Sequence, residues 1–402
     1  MINKNFTFLW LGKIISQLGD KFYAIALAWW ILQKTNSPSI MGFFLLVSVL
    51  PGLLFGFFAG ALTDRWQRKT MLVVTDIIRG CLVLVISYLS MIGVLEVWHV
   101  FLIGFCLSLA TAFFDPAMQA IVPEIVEKEH LTEANGMIQM VGGICTVAGP
   151  LLGAIAVSTL GLTWVFWANS ISYFISAFLA CFIKINKAYR NSEEKINIWK
   201  EICEGISFIK NQKYIVLILL VIALAHFFIG SLTVSLPFLA KGLEGNGVNN
   251  LGYLEMMLGV GLFAGSVLMS IKKKVSVNER TLLLFIMMVG LCFIVISILQ
   301  FLSITDVGAY LPVMMIIGAC IAGASVFWQS LLQRYTPGHM TGRVFSVSTL
   351  IGNTSLPLAY GIFGILLNLS SISILMAACG VCLLVLCSYL YFRNNENEEG
   401  KA

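Results

Sequence analysis

The sequence predicts an all-α membrane protein of about 12 transmembrane helices, arranged as two pseudo-symmetric six-helix bundles. Three observations predict this. The 402 residues are 59% hydrophobic and only 11% charged, where a soluble domain carries about 25% charged residues. Apolar runs recur from end to end, each long enough to cross a hydrocarbon core about 30 Å thick. Short motifs of the first half reappear, in order, in the second.

The runs are continuous and do not alternate, so they read as helices and not as barrel strands; only those two structures satisfy the backbone in lipid. Spans fall near 8–33, 39–62, 70–92, 98–119, 136–158, 163–185, 214–240, 251–271, 279–302, 308–332, 343–367 and 371–392. The first run is long, carries Lys13, Asp20 and Lys21, and lacks a following small-residue cleavage site, so it reads as a span rather than a signal peptide.

Charge sets the expected orientation. Of the 25 Lys and Arg, Lys34 and Lys241 fall on one set of connections, and Lys13, Lys21 and Arg79 lie within spans. The other 20 fall on the second set, 64–69, 120–135, 186–213, 272–278, 333–342 and both tails, or, as Lys184, Arg280 and Arg343 do, at the adjoining helix ends. The positive-inside rule then places both termini in the cytoplasm of a protein of the cytoplasmic (inner) membrane. The longest polar stretch divides the chain into a first bundle at 1–185, a linker at 186–213, a second bundle at 214–392 and a tail at 393–402. Within the linker, Ile196–Ile209 alternates apolar and charged residues at helical spacing and reads as an amphipathic surface helix.

The halves match segment by segment. Gly56-Phe57-Phe58-Ala59-Gly60 corresponds to Gly261-Leu262-Phe263-Ala264-Gly265, and Arg68-Lys69 to Lys273-Lys274. Phe113-Phe114, Gln119 and Pro123 correspond to Phe327-Trp328, Gln333 and Pro337, and Pro150-Leu151 to Pro357-Leu358. A repeated six-span unit keeps its orientation, so the repeats are parallel. The paired small-x-x-x-small glycines predict tight helix crossings.

The loop after the second span reads Gly60-Ala61-Leu62-Thr63-Asp64-Arg65-Trp66-Gln67-Arg68-Lys69. It resembles the major facilitator superfamily signature G-x-L-x-D-R-x-G-R-K, with Gln67 at the second glycine. Ile15-Ser16-Gln17-Leu18-Gly19-Asp20, Thr111–Ala117, Val122-Pro123-Glu124, Leu131–Gly136 and Gly342–Ser346 narrow the likeness to the branch of macrolide-efflux proteins and enterobactin exporters. The resemblance implies the major facilitator fold and a secondary exporter of amphipathic small molecules working by alternating access. It implies no enzyme activity, cofactor or nucleic-acid partner, a proton as coupling ion, a lipid bilayer around it and function as a monomer. The alternatives are an importer or lipid carrier of the same fold, or a non-transporting sensor.

The resemblance also assigns roles. Gly60, Asp64, Arg65, Arg68, Lys69, Asp115 and Arg343 would form a cytoplasmic gating latch, with Asp64 facing the helix start at Gly342-Arg343 and Arg68 paired with Asp115. Gly149, Pro150 and Gly153 resemble the antiporter motif of the fifth span, with Cys145 at its leading glycine position. The fourth-span R-x-x-x-G of many proton-coupled exporters is replaced around Leu107 and Ala110, so an antiporter needs a substitute proton site.

Asp20 lies near the middle of the first span, where an ionisable group is costly and a functional candidate. Lys13 and Gln17 share its helical face, with Lys21 at the edge. The alternatives are proton or substrate binding and a structural pairing with Lys13 or Lys21. His226 is the symmetry-related position, either functional or packed against a helix carbonyl. Glu255 is a second protonation site or a snorkelling side chain. Gln139, Gln329, Trp328 and Asn353 offer polar or aromatic contacts to a cavity. Asp76 and Arg79 are three apart and read as a structural pair. Trp98 and Trp164 read as interfacial anchors. Cys379-x-x-Cys382 has no companion ligands, and no metal site or phosphate-binding loop is expected.

Overall fold

The computed structural model describes residues 2–63, 66–185, 204, 206–271 and 278–399, without the side chains of 57–63, 339 and 393–399. Twelve long helices account for nearly all of them. In the first half these are α1 (Lys4–Thr35), α2 (Pro38–Thr63), α3 (Arg68–Met91), α4 (Val97–Ile125), α5 (Leu131–Leu160) and α6 (Leu162–Cys181). In the second they are α7 (Lys213–Gly242), α8 (Gly247–Ile271), α9 (Glu279–Phe301), α10 (Leu311–Tyr335), α11 (Thr341–Leu369) and α12 (Ile372–Glu399). Eleven are long and apolar enough to cross a membrane. The twelfth, α1, has 32 residues, about 48 Å at 1.5 Å per residue. Its interior polar residues Lys13, Gln17, Asp20 and Lys21 lower its apolarity. The amphipathic stretch read at Ile196–Ile209 lies largely outside the described residues, which are helical again from 206 to 210.

Local chemistry sets the helix ends. The Asn3 side chain caps α1 by accepting from Phe6 N at 2.8 Å and donates to Ile125 O at 2.6 Å, tying the start of α1 to the end of α4. Glu96 and His99 form a reciprocal capping box at the start of α4. The one-residue turn between α5 and α6 is Gly161 at φ +87°, a conformation that a side chain disfavours.

The chain divides into two compact units, Met1–Glu193 with Asn246–Met256, and Glu194–Gly245 with Met257–Ala402. The opening turns of α8 thus group with the first unit. In the first unit α1 packs on α5 and α6, α3 on α4 and α6, and α2 on α4. In the second, α7 packs on α11 and α12, and α9 on α10 and α12. These are four of the first unit's five pairings six helices on, as the sequence repeat leads one to expect.

Close crossings rest on small residues, though not symmetrically. Gly265 meets Ala319 and Ala322 of α10, with Gly261 against Met315 and Ala319. The corresponding Gly56 has no neighbour within 4 Å of where a Cβ would stand. The α2–α4 crossing falls earlier, where Ser108 Oγ lies 2.9 Å from Gly52 N and Gly104 packs on Phe44 and Ser48. The expected pairing of Gly56–Gly60 with Gly261–Gly265 as equivalent crossing faces is therefore corrected at Gly56. The outer helix faces carry large exposed apolar residues such as Leu102, Phe178, Phe301 and Leu369, as hydrocarbon contact requires. Trp98 and Trp164 near helix starts are exposed as well.

Candidate functional site

The first unit holds a cluster of charged and hydroxyl side chains in its helical interior. Asp76 and Arg79 of α3 are 1% and 3% exposed and joined by an ion pair. Ser176 Oγ of α6 donates to the other Asp76 oxygen at 2.7 Å. The Arg79 guanidinium lies between two rings, 3.8 Å from the centroid of Phe114 on α4 and 4.6 Å from that of Tyr173 on α6. Stacking on ring faces suits a planar, weakly hydrated cation. The Tyr173 hydroxyl donates to Asp20 of α1. Asp20, the deep carboxylate read from sequence, is thus joined through Tyr173 to the pair read as structural.

Asp20's electrostatic partners are Arg79 first and Lys21 second. The structural alternative, pairing with Lys13 or Lys21, misses the main partner, because Arg79 reaches Asp20 across the bundle from α3. Lys13 acts on Asp115, which opens outward from α4. Four polar atoms in or near the cluster are buried without hydrogen-bond partners: Gln17 Oε1, Tyr23 Oη, Arg79 Nε and Asn169 Nδ2.

Glycines bring these helices together. A Cβ at Gly19 of α1 would stand 2.6 Å from Asn169 Oδ1, and one at Gly149 of α5 would stand 2.6 Å from Lys21 Cβ. Gly153 lies on Phe22 in the same way. The opposite face of α5, at Pro150, Leu151 and Ala154, receives Gly252 of α8. One turn further along α8, Glu255 is coupled in charge to Lys21. The Gly149-Pro150-x-x-Gly153 motif thus lets α1 approach on one side and the opening turns of α8 on the other.

The cytoplasmic-motif residues separate. Asp64 and Arg65 lie outside the described residues. Gly60 ends up within α2, near its close. Arg68, the first residue of α3, donates to Ala120 O at 2.6 Å and pairs with Glu124 at 3.2 Å. This corrects the expected Arg68–Asp115 pair. Asp115 lies more than a turn from Ala120 along α4, and its cations are Arg79 and Lys13. Lys69 Nζ donates to Cys181 O at 2.7 Å, at the end of α6. In the second unit Arg343 pairs with Glu204 at 2.7 Å.

Also in the second unit, His226 Nδ1 lies 2.9 Å from Ile222 O. Its ring meets Trp328 of α10 edge-on at 6.3 Å between centroids. It borders an apolar cavity with Ile222, Ile229, Val289 and Ser325. Trp328 Nε1 is buried without an acceptor. Gln139, Gln329 and Asn353 are exposed and join neither cluster. The residues sequence reasoning missed are Tyr173, Ser176, Phe114 and Glu124. The run Asn169, Ser172, Tyr173 and Ser176, spaced by three or four within an apolar span, is the polar stripe that reveals two of them.

A family model of the Major Facilitator Superfamily matches residues 9–360. Macrolide efflux protein A of Streptococcus pyogenes is 23% identical over 351 residues, covering 87% of this chain and 86% of that protein. Multidrug efflux pump Tap of Mycolicibacterium fortuitum is 21% identical over 379 residues, covering 92% and 90%. Among solved structures, the nucleoside transporter NupG superposes with a TM-score of 0.78 at 9% identity, covering 97% of this chain and all of that one. With a matched model over most of its length, repeated six-helix pairing and eleven apolar spans, the chain belongs to the Major Facilitator Superfamily of multi-pass membrane transporters.

Proposed function

We propose that this transporter is a proton-coupled exporter of amphipathic small molecules, lying in the cytoplasmic membrane with both termini inside. The observation that carries the reading is Asp20: a carboxylate midway along α1, held by Tyr173 and facing the charge of Arg79. Such a group is costly in a span unless it does work there. Burial and a nearby cation act on a carboxylate in opposite directions. A site balanced in this way takes up and releases a proton as its surroundings change. The direction of transport is supported by relatives named as macrolide and multidrug efflux proteins.

Loading follows alternating access: cargo and proton bind in exchange, and each state is favoured by its differential affinity. Arg68, Lys69 and Glu124, with Asp64 and Arg65, act at the cytoplasmic end as the latch between states. The test is erythromycin uptake into proteoliposomes under an imposed pH gradient. Wild-type protein concentrates the drug, and Asp20→Asn loses gradient-driven uptake while retaining downhill exchange. Concentrative uptake by Asp20→Asn removes Asp20 from coupling. Uptake that runs with the proton gradient instead of against it makes the protein an importer.

A further inference from the structure

The charges around Asp20 do not balance. The interacting set in the first unit contains four carboxylates, Asp20 on α1, Asp76 on α3, Asp115 on α4 and Glu255 on α8. It contains three cations, Lys13 and Lys21 on α1 and Arg79 on α3. The remaining titratable neighbours, Tyr23, Tyr173 and Cys145, are neutral in their protonated forms. Lys13 acts on Asp115 and Lys21 on Glu255. Arg79 faces Asp76 and Asp20 and also acts on Asp115, with Lys21 a second, lesser cation at Asp20. It is ion-paired to Asp76 and is the foremost cation acting on Asp20.

Arg79 cannot resolve the imbalance by moving away or by losing its proton. Its guanidinium is stacked between Phe114 and Tyr173, and arginine stays charged in proteins. An uncompensated charge in a low-dielectric interior is expensive. The inexpensive state is one in which either Asp20 or Asp76, but not both, is protonated. Each is poised for both forms: Tyr173 donates to Asp20 and Ser176 to Asp76, and a carboxylate so held accepts a proton on its other lone pairs. Arg79 Nε, buried with no acceptor, is a spare donor for whichever carboxylate stays ionised.

A cavity with room for about one water molecule lies among α1, α3, α4 and α6, bordered by Gly12, Lys13, Leu72, Asp76, Phe114 and Ser176. It touches Asp76 and not Asp20.

We propose that Asp76 and Asp20 form a single-proton site sharing the Arg79 counter-ion, filled through the cavity at Asp76. This rests on the reading of Asp20 as the coupling group and adds Asp76, Arg79 and Tyr173 to it. A proton arriving from cavity water binds Asp76 and releases Arg79's charge to Asp20. Transfer of that proton to Asp20 returns the guanidinium to Asp76. No proton is created or lost, and Arg79 keeps its own throughout.

The test needs no cargo. Purified protein in nanodiscs is titrated with a pH indicator above about pH 5, beyond the ordinary carboxylate range. Wild-type protein takes up one more proton than Asp20→Asn. Asp76→Asn lacks the same single proton, and the double variant lacks no more than either, because the remaining carboxylate in each single variant is satisfied by Arg79. Arg79→Gln takes up two. Losses that add to two in the double variant, or no loss in the singles, overturn the shared site. If Asp76→Asn fails to fold, Asp76→Asn combined with Arg79→Gln carries the test. Asp20 then stands alone and takes up one proton; none overturns the proposal. The proposed function fails separately, when wild-type protein shows its single proton but a pH gradient drives no erythromycin uptake.

Discussion

Replacing Arg79 with Gln offers the most direct measure of what the cluster contributes to the fold. Arg79 is 3% exposed and its partner Asp76 is 1% exposed, so bulk solvent compensates neither when the other is removed, the cavity at Asp76 having room for about one water molecule. Gln leaves Asp76 with the Ser176 hydroxyl but without its cation, and removing one partner of a buried pair costs about 3–5 kcal/mol. Two ring contacts are lost as well, each worth roughly 0.5–2 kcal/mol. Protonation of Asp76 recovers part of this, so the net loss is placed at the lower end, about 3 kcal/mol. For a unit of this size that corresponds to a fall in the melting midpoint of roughly 6–12 °C. The assay is thermal denaturation in detergent followed by size-exclusion chromatography, at acid and neutral pH. Because the lost cation leaves a carboxylate that must bind a proton, the deficit is larger at neutral pH than at acid pH. Asp76→Asn with Arg79→Gln restores most of the midpoint, since neither charge is left alone. A fall of less than 2 °C in the single variant, or a double variant no better than the single, refutes the reasoning.

Three further outcomes follow from the same contacts. Gly19→Val forces a side chain onto Asn169 and Ser172, an overpacking cost of about 1–3 kcal/mol; Gly56→Ala, which meets nothing within 4 Å, is neutral or stabilising by about 0.5–1 kcal/mol, and melting midpoints check both. Lys21→Met and Glu255→Gln are expected to be non-additive by about 0.5–3 kcal/mol in a double-mutant cycle on stability, as charge-coupled neighbours are, and additivity within error removes that pair. Asp64→Asn weakens transport without loss of membrane insertion, and spin-label distances between cytoplasmic helix ends shift toward the inward-open state; normal transport with an unchanged distance distribution rejects the latch.

Much of the fold was legible because lipid imposes so simple a rule on sequence. Span existence follows from apolar length, and the helices lie within a few residues of the expected runs except at α4, which continues past its apolar stretch to Ile125, and at α12, which continues to Glu399 through the stretch read as a tail. In α4, Pro116 and Pro123 are accommodated within the helix. Asp20 stood out because a mid-span carboxylate is rare, and Asp76 with Arg79 because i and i+3 share a face. What was not legible was the link between them. Tyr173 lies 153 residues from Asp20, and no periodicity reports a contact across helices. The Arg68–Asp115 expectation failed for a related reason: the depth at which α3 starts beside α4 is a packing property, and it brings Arg68 to Glu124.

The separation between Asp20 and Tyr173 bears on how the protein is made. Lys13, Asp20 and Lys21 each oppose insertion of α1, at about 2.5–3.5 kcal/mol per charged residue near a helix centre. The groups that satisfy Asp20 arrive later in synthesis: Arg79 on α3, then Tyr173 on α6. At translation speeds of about 5–20 residues per second, the 153 residues to Tyr173 take roughly 8–30 s. For that interval α1 has no complete partner set and must be sheltered, by the insertion machinery or at the bilayer surface, until α6 emerges. Cysteines placed in α1 should therefore react with a water-soluble thiol reagent in nascent chains stalled before α6, and not in chains stalled after it. The helix that carries Asp20 is in this sense the one whose place in the membrane is decided last.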